Sequence, residues 1–462
     1  MAFWSLDITV GEFFLDFSWM GLLLVLALWM RANIKLFQRY LIPANLIAGA
    51  LGLMVGMNGF GLIDLTTDRL GAYVYHLLAL LFIALGLRAP NKKVGLSSVK
   101  TGILFIIAYL VQGILGISIA LILVYTIMPD LFVGIGFLPP LALGMNPGIA
   151  YTIGQSWEPF GFESGGVVGL TFSAAGFIAA YTTGIWAVRR GIKRGEAAYM
   201  MNEKEMPNYL KTGLLPRSDK QNPGRLTTAS EAVETLTVHI GLIGFTYILT
   251  YGVMKFFEFG LLSVGAEAEV STLWSFHFIF AAILALVTRR FMDRNNLAGF
   301  VDDVTMTRVS NFFMDFMIVA SVAAISLVVV GQYWLPLLLI SLAAIGATWW
   351  TMQRLCYNAF KNFKLERFTA IYGNMTGTLQ SGLLLLRILD SGMKSPVSYN
   401  LVYGSGLALI LGFPLLLLIN APVYYFSDVI QGFWMVLITM IGYLILLLVA
   451  WQYLKRNGKN VE

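Results

Sequence analysis

Charge is what this chain has least of. Only 12% of its 462 residues are Asp, Glu, Lys or Arg, against 58% hydrophobic ones and a mean hydropathy of +0.75. A soluble chain of this length carries about a quarter of its residues as charges, so the deficit excludes that class and leaves a polytopic membrane protein whose surroundings are the lipid bilayer. Cysteine is nearly absent as well: Cys356 stands alone, which excludes an intrachain disulfide. The first fourteen residues hold Asp7 and Glu12 but no Lys or Arg. A cleavable signal peptide needs a basic start, so the first apolar run is expected to stay as a helix. No G-x-x-x-x-G-K-[ST] phosphate loop occurs, which argues against ATP as an energy source. His76, His239 and His277 lie on separate segments without metal-ligand spacing, and no Ser/His/Asp set has a defensible one. Neither an enzyme nor a bound organic cofactor is expected, and the net charge of +6 needs no nucleic acid, because topology accounts for it.

What is present is apolar sequence in long runs. Measured against the roughly 20 residues that cross a bilayer, eleven candidate spans lie near 15–32, 41–57, 70–87, 101–127, 163–188, 233–256, 271–288, 311–331, 333–353, 397–420 and 430–453. Two further apolar stretches, about 131–154 and 368–386, are broken by polar residues and glycines. If both are re-entrant hairpins, only Arg69 and Lys255 of the 31 Lys/Arg face outside. Arg31, Lys35, Arg39, Lys92, Lys93, the nine Lys/Arg of 189–225, Arg289, Arg290, Arg354, Lys361 and Lys455 then all face the cytoplasm. That is the bias positive residues show, so the hairpin reading is preferred over two extra spans.

The expected organisation follows. Residues 1–188 form an N-terminal repeat of five spans and one hairpin, 189–232 a polar cytoplasmic linker with Glu203, Lys204, Glu205, Asp219 and Lys220, and 233–420 a second repeat. An odd number of spans per half turns the second repeat upside down relative to the first. Residues 421–462 add an extra helix and a cytoplasmic tail with Lys455 and Arg456, and this helix suits a lipid-facing or packing role. The fold class is thus an all-α membrane protein with an inverted 5+5 repeat, two re-entrant hairpins and one C-terminal helix. The N-terminus would lie outside and the C-terminus inside a bacterial inner membrane.

The two broken stretches share a pattern. The first reads Gly144-Met-Asn-Pro-Gly148-Ile-Ala-Tyr-Thr152 and the second Gly373-Asn-Met-Thr-Gly377-Thr-Leu-Gln-Ser381, 229 residues later. Both have glycines four apart and a hydroxyl four residues further on. Unpaired backbone at membrane depth is tolerated only where protein covers it or a cavity lies beside it, so two breaks point to one central site, as in secondary transporters. Asn146, Thr152, Gln155, Asn374, Thr376, Gln380 and Ser381 offer neutral oxygens that suit sodium and amide donors that suit a carboxylate. Arg387 is placed to meet a carboxylate bidentately, to snorkel, or to pair with Asp390. The competing reading is structural: glycine pairs such as Gly52/Gly56 and Gly165/Gly169 commonly serve close helix packing, and the polar groups can satisfy their own loose backbone. Asp315, four residues into its expected span, is a formal charge at the cytoplasmic end.

Tyr40-Leu-Ile-Pro43-Ala-Asn-Leu-Ile-Ala-Gly49, Leu81-Phe-Ile-Ala-Leu-Gly-Leu87 and the two hairpins resemble the bacterial glutamate:sodium symporter family over about 15–420. The resemblance implies an inverted 5+5 fold with two re-entrant loops, a cytoplasmic central loop, a homodimer, and sodium-coupled uptake of glutamate; the repeated pattern itself, not the resemblance, makes Gly144, Asn146, Gly148, Gly373 and Gly377 candidates for contact with substrate or ion. The contents differ from that family's Gly/Ser/His-rich first hairpin and Gly-rich second one: Met145 and Pro147 in the first stretch and Met375 in the second stand where a loop approaching a substrate needs small residues. The expected partner is a small anionic solute. An ion channel, or a scaffold or sensor that keeps the fold without transport, is the alternative.

Overall fold

A computed structural model describes residues 8–88, 95–200, 206–216, 224–266, 268–426 and 430–457, with the side chains of 268, 271 and 453–457 also outside the description. Lys92, Lys93, Glu203, Lys204, Glu205, Asp219 and Lys220, and the side chains of Lys455 and Arg456, therefore lie outside the described residues. The described residues are all-helical, with no strand.

In chain order the helices begin with α1 Val10–Asn33, α2 Lys35–Arg39, α3 Ala44–Val55, α4 Thr67–Gly86 and α5 Leu96–Thr126. A 3-10 turn Val133–Phe137 and a π turn Pro140–Met145 lead into α6 Pro147–Ser156. Then come α7 Gly165–Ala179, a π turn Ala180–Gly184, α8 Ile185–Lys193 and α9 Asn208–Thr212. The second half has α10 Thr235–Ser263, α11 Ala268–Ser275, α12 His277–Arg294, α13 Asp303–Ala323, α14 Leu327–Gln332 and α15 Trp334–Ala359. It closes with α16 Lys364–Thr376, α17 Leu379–Leu389, α18 Val397–Tyr425 and α19 Ile430–Asn457.

Among the described residues eight helices are long and apolar enough to cross a membrane: α1, α4, α5, α7 continued through α8, α10, α15, α18 and α19. This is a multi-pass, all-α membrane architecture. The other three expected spans are helical too, but α3 is only 12 residues long and α12 and α13 are more polar. The start of α13 corrects the placement of Asp315. Asp302 caps the helix by accepting from Thr305 N–H at 2.9 Å, so α13 begins at Asp303 and Asp315 lies twelve residues in, half-buried, with Asn45 Nδ2 donating to its Oδ1 at 2.8 Å.

The chain folds into two compact units, and each draws on both sequence halves. One contains residues 1–29, 43–92 and 215–324, hence most of α1, then α3 and α4 from the first half and α10 to α13 from the second. Small residues set its packing: a Cβ on Gly49 would lie 2.6 Å from Val322 Cβ, and one on Gly52 2.9 Å from Ala323 Cβ. Without a hydrophobic drive between helices in lipid, such close approach supplies the dispersion contacts that hold them. All three histidines are packed here. His277 stacks on Tyr75 at 3.6 Å and bonds the Tyr75 carbonyl, His76 bonds Tyr247, and His239 Nε2 accepts from Asp302 N–H at 2.8 Å.

The other unit holds residues 30–42, 93–214 and 325–462, including α5 to α9 and α14 to α19. Both broken stretches are therefore in one unit. Its α5 is buried along most of its length between α15, α18 and α19. One face of α19 covers α5, α18 and the first broken stretch: Met440 is fully buried against Gly113, Tyr443 donates to the Leu411 carbonyl of α18, and Phe433 stacks on Phe137 at 6.1 Å. The opposite face, with Met435, Ile438 and Leu446, is apolar and exposed.

Candidate functional site

Both broken stretches are helix–break–helix elements. In the first, the π turn ends at Asn146, whose backbone is extended (φ −170°, ψ 139°) before α6 begins with Pro147. Proline at the first helical position loses no hydrogen bond, since that N–H has no partner in any helix. Asn146 Oδ1 accepts from Gly148 N–H at 2.8 Å, so Asn146 is the N-cap of α6. In the second, α16 ends at Gly377 and α17 starts behind Thr378, which forms a capping box with Ser381. Both breaks fall inside the two expected stretches, although the second element runs from Lys364 to Leu389 and is longer than 368–386.

Three glycines of the pairs serve close packing. A Cβ on Gly144 would lie 2.6 Å from the Tyr109 ring, one on Gly373 2.7 Å from Leu385, and one on Gly377 2.7 Å from Ser381 Oγ. Gly148 is buried in the first turn of α6. The two arms of the second element close on each other because Gly382 leaves only 2.4 Å between its added Cβ and the Ala370 carbonyl. Helices α6 and α7 cross in the same way at Gly154, Gly165 and Gly169.

Gln112 of α5, which sequence reasoning missed, ties the two breaks together. It is fully buried, and its Nε2 donates to the Met375 carbonyl at 2.8 Å and to Thr348 Oγ1 at 2.9 Å. Its Oε1 sits 3.1 Å from where a Gly144 Cβ would be, and has no hydrogen-bond partner. Gly176 of α7 is a second meeting point. An added Cβ there would lie 2.3 Å from the Thr376 carbonyl oxygen and 2.5 Å from Leu143 of the first broken stretch. The π turn after α7 then aims two hydroxyls at the second element: Tyr181 bonds Ser381 at 2.7 Å and Thr183 bonds Tyr372 at 2.6 Å. Such π turns within helices recur at functional sites. The signal for Gln112 was available, since it is the one amide side chain in the apolar run 102–125.

Satisfaction of the polar groups separates the candidates. Hydroxyls in these helices generally donate back to the carbonyl one turn earlier, as Thr376 does to Tyr372, Thr348 to Ala344 and Thr171 to Val167. Thr152, 1% exposed, departs from that habit: its Oγ1 has no partner. Gln155 Oε1, buried one turn further along α6, has none either. Leaving a buried polar group unmatched costs about 1–3 kcal/mol, which makes such groups the ones a ligand would satisfy. Asn374 is buried and donates to Ser405 at 3.2 Å, and Gln380 is half-buried. Arg387 is not brought to the breaks; it is exposed on α17, while Asp390 accepts from the N–H groups of Lys394 and Ser395.

The arrangement therefore presents buried neutral oxygens from α5 and α6, two helix N-termini carrying partial positive charge, and the carbonyl end of α16, all within one unit. Comparison with protein-family models, with curated proteins and with solved structures finds no match to this chain.

Proposed function

We propose that this protein is a secondary transporter that carries a small anionic solute, glutamate or a related carboxylate, together with sodium across a bacterial inner membrane. The observation that carries the reading is the trio of unmatched buried oxygens, Gln112 Oε1, Thr152 Oγ1 and Gln155 Oε1, on the elements that form and bridge the two breaks. Neutral oxygens of this kind suit a hard monovalent cation. The N-termini of α6 and α17 favour a carboxylate by their dipoles, and carbonyls at the ends of broken helices favour the coupling ion. Sodium would be held by these neutral oxygens and would supply the positive charge that the buried site lacks.

The inverted repeat is supported by the way the halves are shared out. From each half, the first three expected spans go to one unit, and a span, a broken element and a further span go to the other. Such a division is what two copies of one motif related by a pseudo-two-fold axis would give, with the breaks entering from opposite faces. The transporter would then alternate access by moving one part of the fold against another.

Orientation is testable with single cysteines, because native Cys356 is fully buried and contributes little background. Cysteines at the exposed positions Glu163 and Val264 should react with an impermeant thiol reagent from outside intact cells, and one at exposed Lys193 only after the inner face is opened. External labelling at Lys193 would remove the inverted arrangement.

Function is tested by thermal unfolding of the purified protein with a panel of acidic amino acids and dicarboxylates. A ligand bound only by the folded state stabilises it by about 2.7 kcal/mol at a hundred times its Kd. At least one carboxylate should raise the melting temperature in sodium buffer more than in potassium buffer. A panel that shifts nothing in either buffer refutes the anionic symporter.

A further inference from the structure

A cavity of about 250 Å³ lies in the break-containing unit away from the breaks, lined by Lys35, Gln38, Arg39, Leu41, Arg189, Met206 and Lys211. Four of its seven lining residues are cations, they come from α2, α8 and α9, and among the described residues no carboxylate lines it. Bringing like charges together from three segments opposes folding unless something compensates, and Lys35 and Arg39, one turn apart on α2, already repel each other. The framework is nevertheless fixed by bonds that do not use the charges on one another. Arg189 Nη2 donates to the Arg39 carbonyl at 2.7 Å, and Arg31 Nη2 donates to the Leu210 carbonyl at 2.9 Å, which pins α9 beside the end of α1.

The depth of this cavity decides what it would take. Lys35 follows the end of the apolar helix α1 directly, and Arg189 lies in the last turns of the apolar α7–α8 helix. That is where spans meet lipid headgroups. Exposed apolar side chains adjoin the cations in sequence, with Leu36 58% and Leu214 52% exposed, a pairing of acyl-chain and phosphate contacts that a free anion would not need.

We propose that this cavity is a binding site for the phosphate headgroup of an anionic phospholipid, separate from the transport site, which locks α2 and α9 onto α8. Lys35 and Lys211 supply charge, Gln38 a neutral donor, and the Arg189 and Arg31 tethers the shape. Clusters of basic side chains between helices at a membrane surface bind lipid headgroups by this combination.

The test is native mass spectrometry of the full-length protein in neutral detergent, titrated with phosphatidylglycerol or phosphatidylcholine. Wild type should bind phosphatidylglycerol at least about tenfold more tightly than phosphatidylcholine, and the double variant Lys35→Gln/Lys211→Gln should lose that preference. Lys211→Arg, which keeps the charge, should retain it. Should the double variant not fold, Lys35→Gln alone, at an exposed position, should still reduce the preference severalfold. Equal binding of the two lipids by wild type, or an undiminished preference in the lysine variants, overturns the site. Millimolar inorganic phosphate that competes phosphatidylglycerol away completely would overturn the lipid as the source of the anion.

Discussion

Substituting Gly176 by valine should abolish solute uptake while leaving a protein that still reaches the membrane. The carbonyl oxygen of Thr376 and the side chain of Leu143 both press on this glycine, at 2.3 Å and 2.5 Å from the position of an added Cβ. No side chain fits there unless one or both breaks move. Two effects compete in stability. Removing a glycine from the interior of the helix that runs from α7 into α8 gains up to about 1 kcal/mol of helix propensity, whereas overpacking costs about 1–3 kcal/mol. The second wins, so Gly176→Ala should be destabilised by about 1 kcal/mol and Gly176→Val by about 2 or more, measured by thermal unfolding. Gly244→Ala on α10 is the control, because an added Cβ meets nothing within 4 Å. It should be neutral or slightly stabilising. A valine at 176 that transports normally would show that the junction of the two breaks is not part of the solute path.

Replacing Gln112 by leucine should reduce uptake by at least about tenfold, equivalent to about 1.4 kcal/mol, and should remove any sodium-dependent protection. Leucine keeps the volume but withdraws the donor from the Met375 carbonyl and the free acceptor beside Gly144. The stranded Met375 carbonyl costs about 1–3 kcal/mol, which unfolding measurements should register. Thr348→Val is the discriminating companion, since Thr348 Oγ1 donates to the Ala344 carbonyl of its own helix and accepts from Gln112. It should lose stability modestly and keep transport. Parallel losses of stability and uptake in both variants would leave Gln112 a structural residue.

Local chemistry made the breaks legible in the sequence. Pro147 after Asn146 cannot continue a hydrogen-bonded turn, and Gly377-Thr378 before an apolar run is a helix stop and a helix start. What joined the breaks was not legible, because Gln112 meets Thr348 and Met375 across 236 and 263 residues of chain. No periodicity encodes such a contact. The glycine pairs were ambiguous between ligand approach and packing, and at Gly144, Gly373 and Gly377 the neighbouring side chains favour packing. Asn146 and Thr376 likewise spend a side-chain oxygen on their own backbone, as cap and as back-bonded hydroxyl. Thr152 and Gln155 do not.

Hydropathy also misplaced elements whose ends are polar. A span placed by hydropathy near 311–331 omits the first turns of α13, since Asp303 and Arg308 are charged, yet Asp302 is the cap and the helix runs from Asp303. Asp315 moved with it to mid-helix. Arg387, which the sequence leaves open between carboxylate contact, snorkelling and pairing with Asp390, is exposed on α17, because orientation around a helix is set by which face carries Leu385, Ile388 and Leu389 into the core. Helix α19, expected to suit lipid or packing, packs on one face, since Met440 fills the space that Gly113 leaves on α5, and leaves the other face exposed.

Uptake into proteoliposomes tests the central claim most directly. The purified protein is reconstituted, loaded with potassium buffer, and offered a radiolabelled carboxylate with an inward sodium gradient either imposed or collapsed by equal sodium on both sides. Sodium-gradient-driven accumulation that saturates with solute, and that falls at least about tenfold in Gln112→Leu, is the predicted result. Accumulation indifferent to the gradient, a non-saturating current, or no flux of any carboxylate would contradict it.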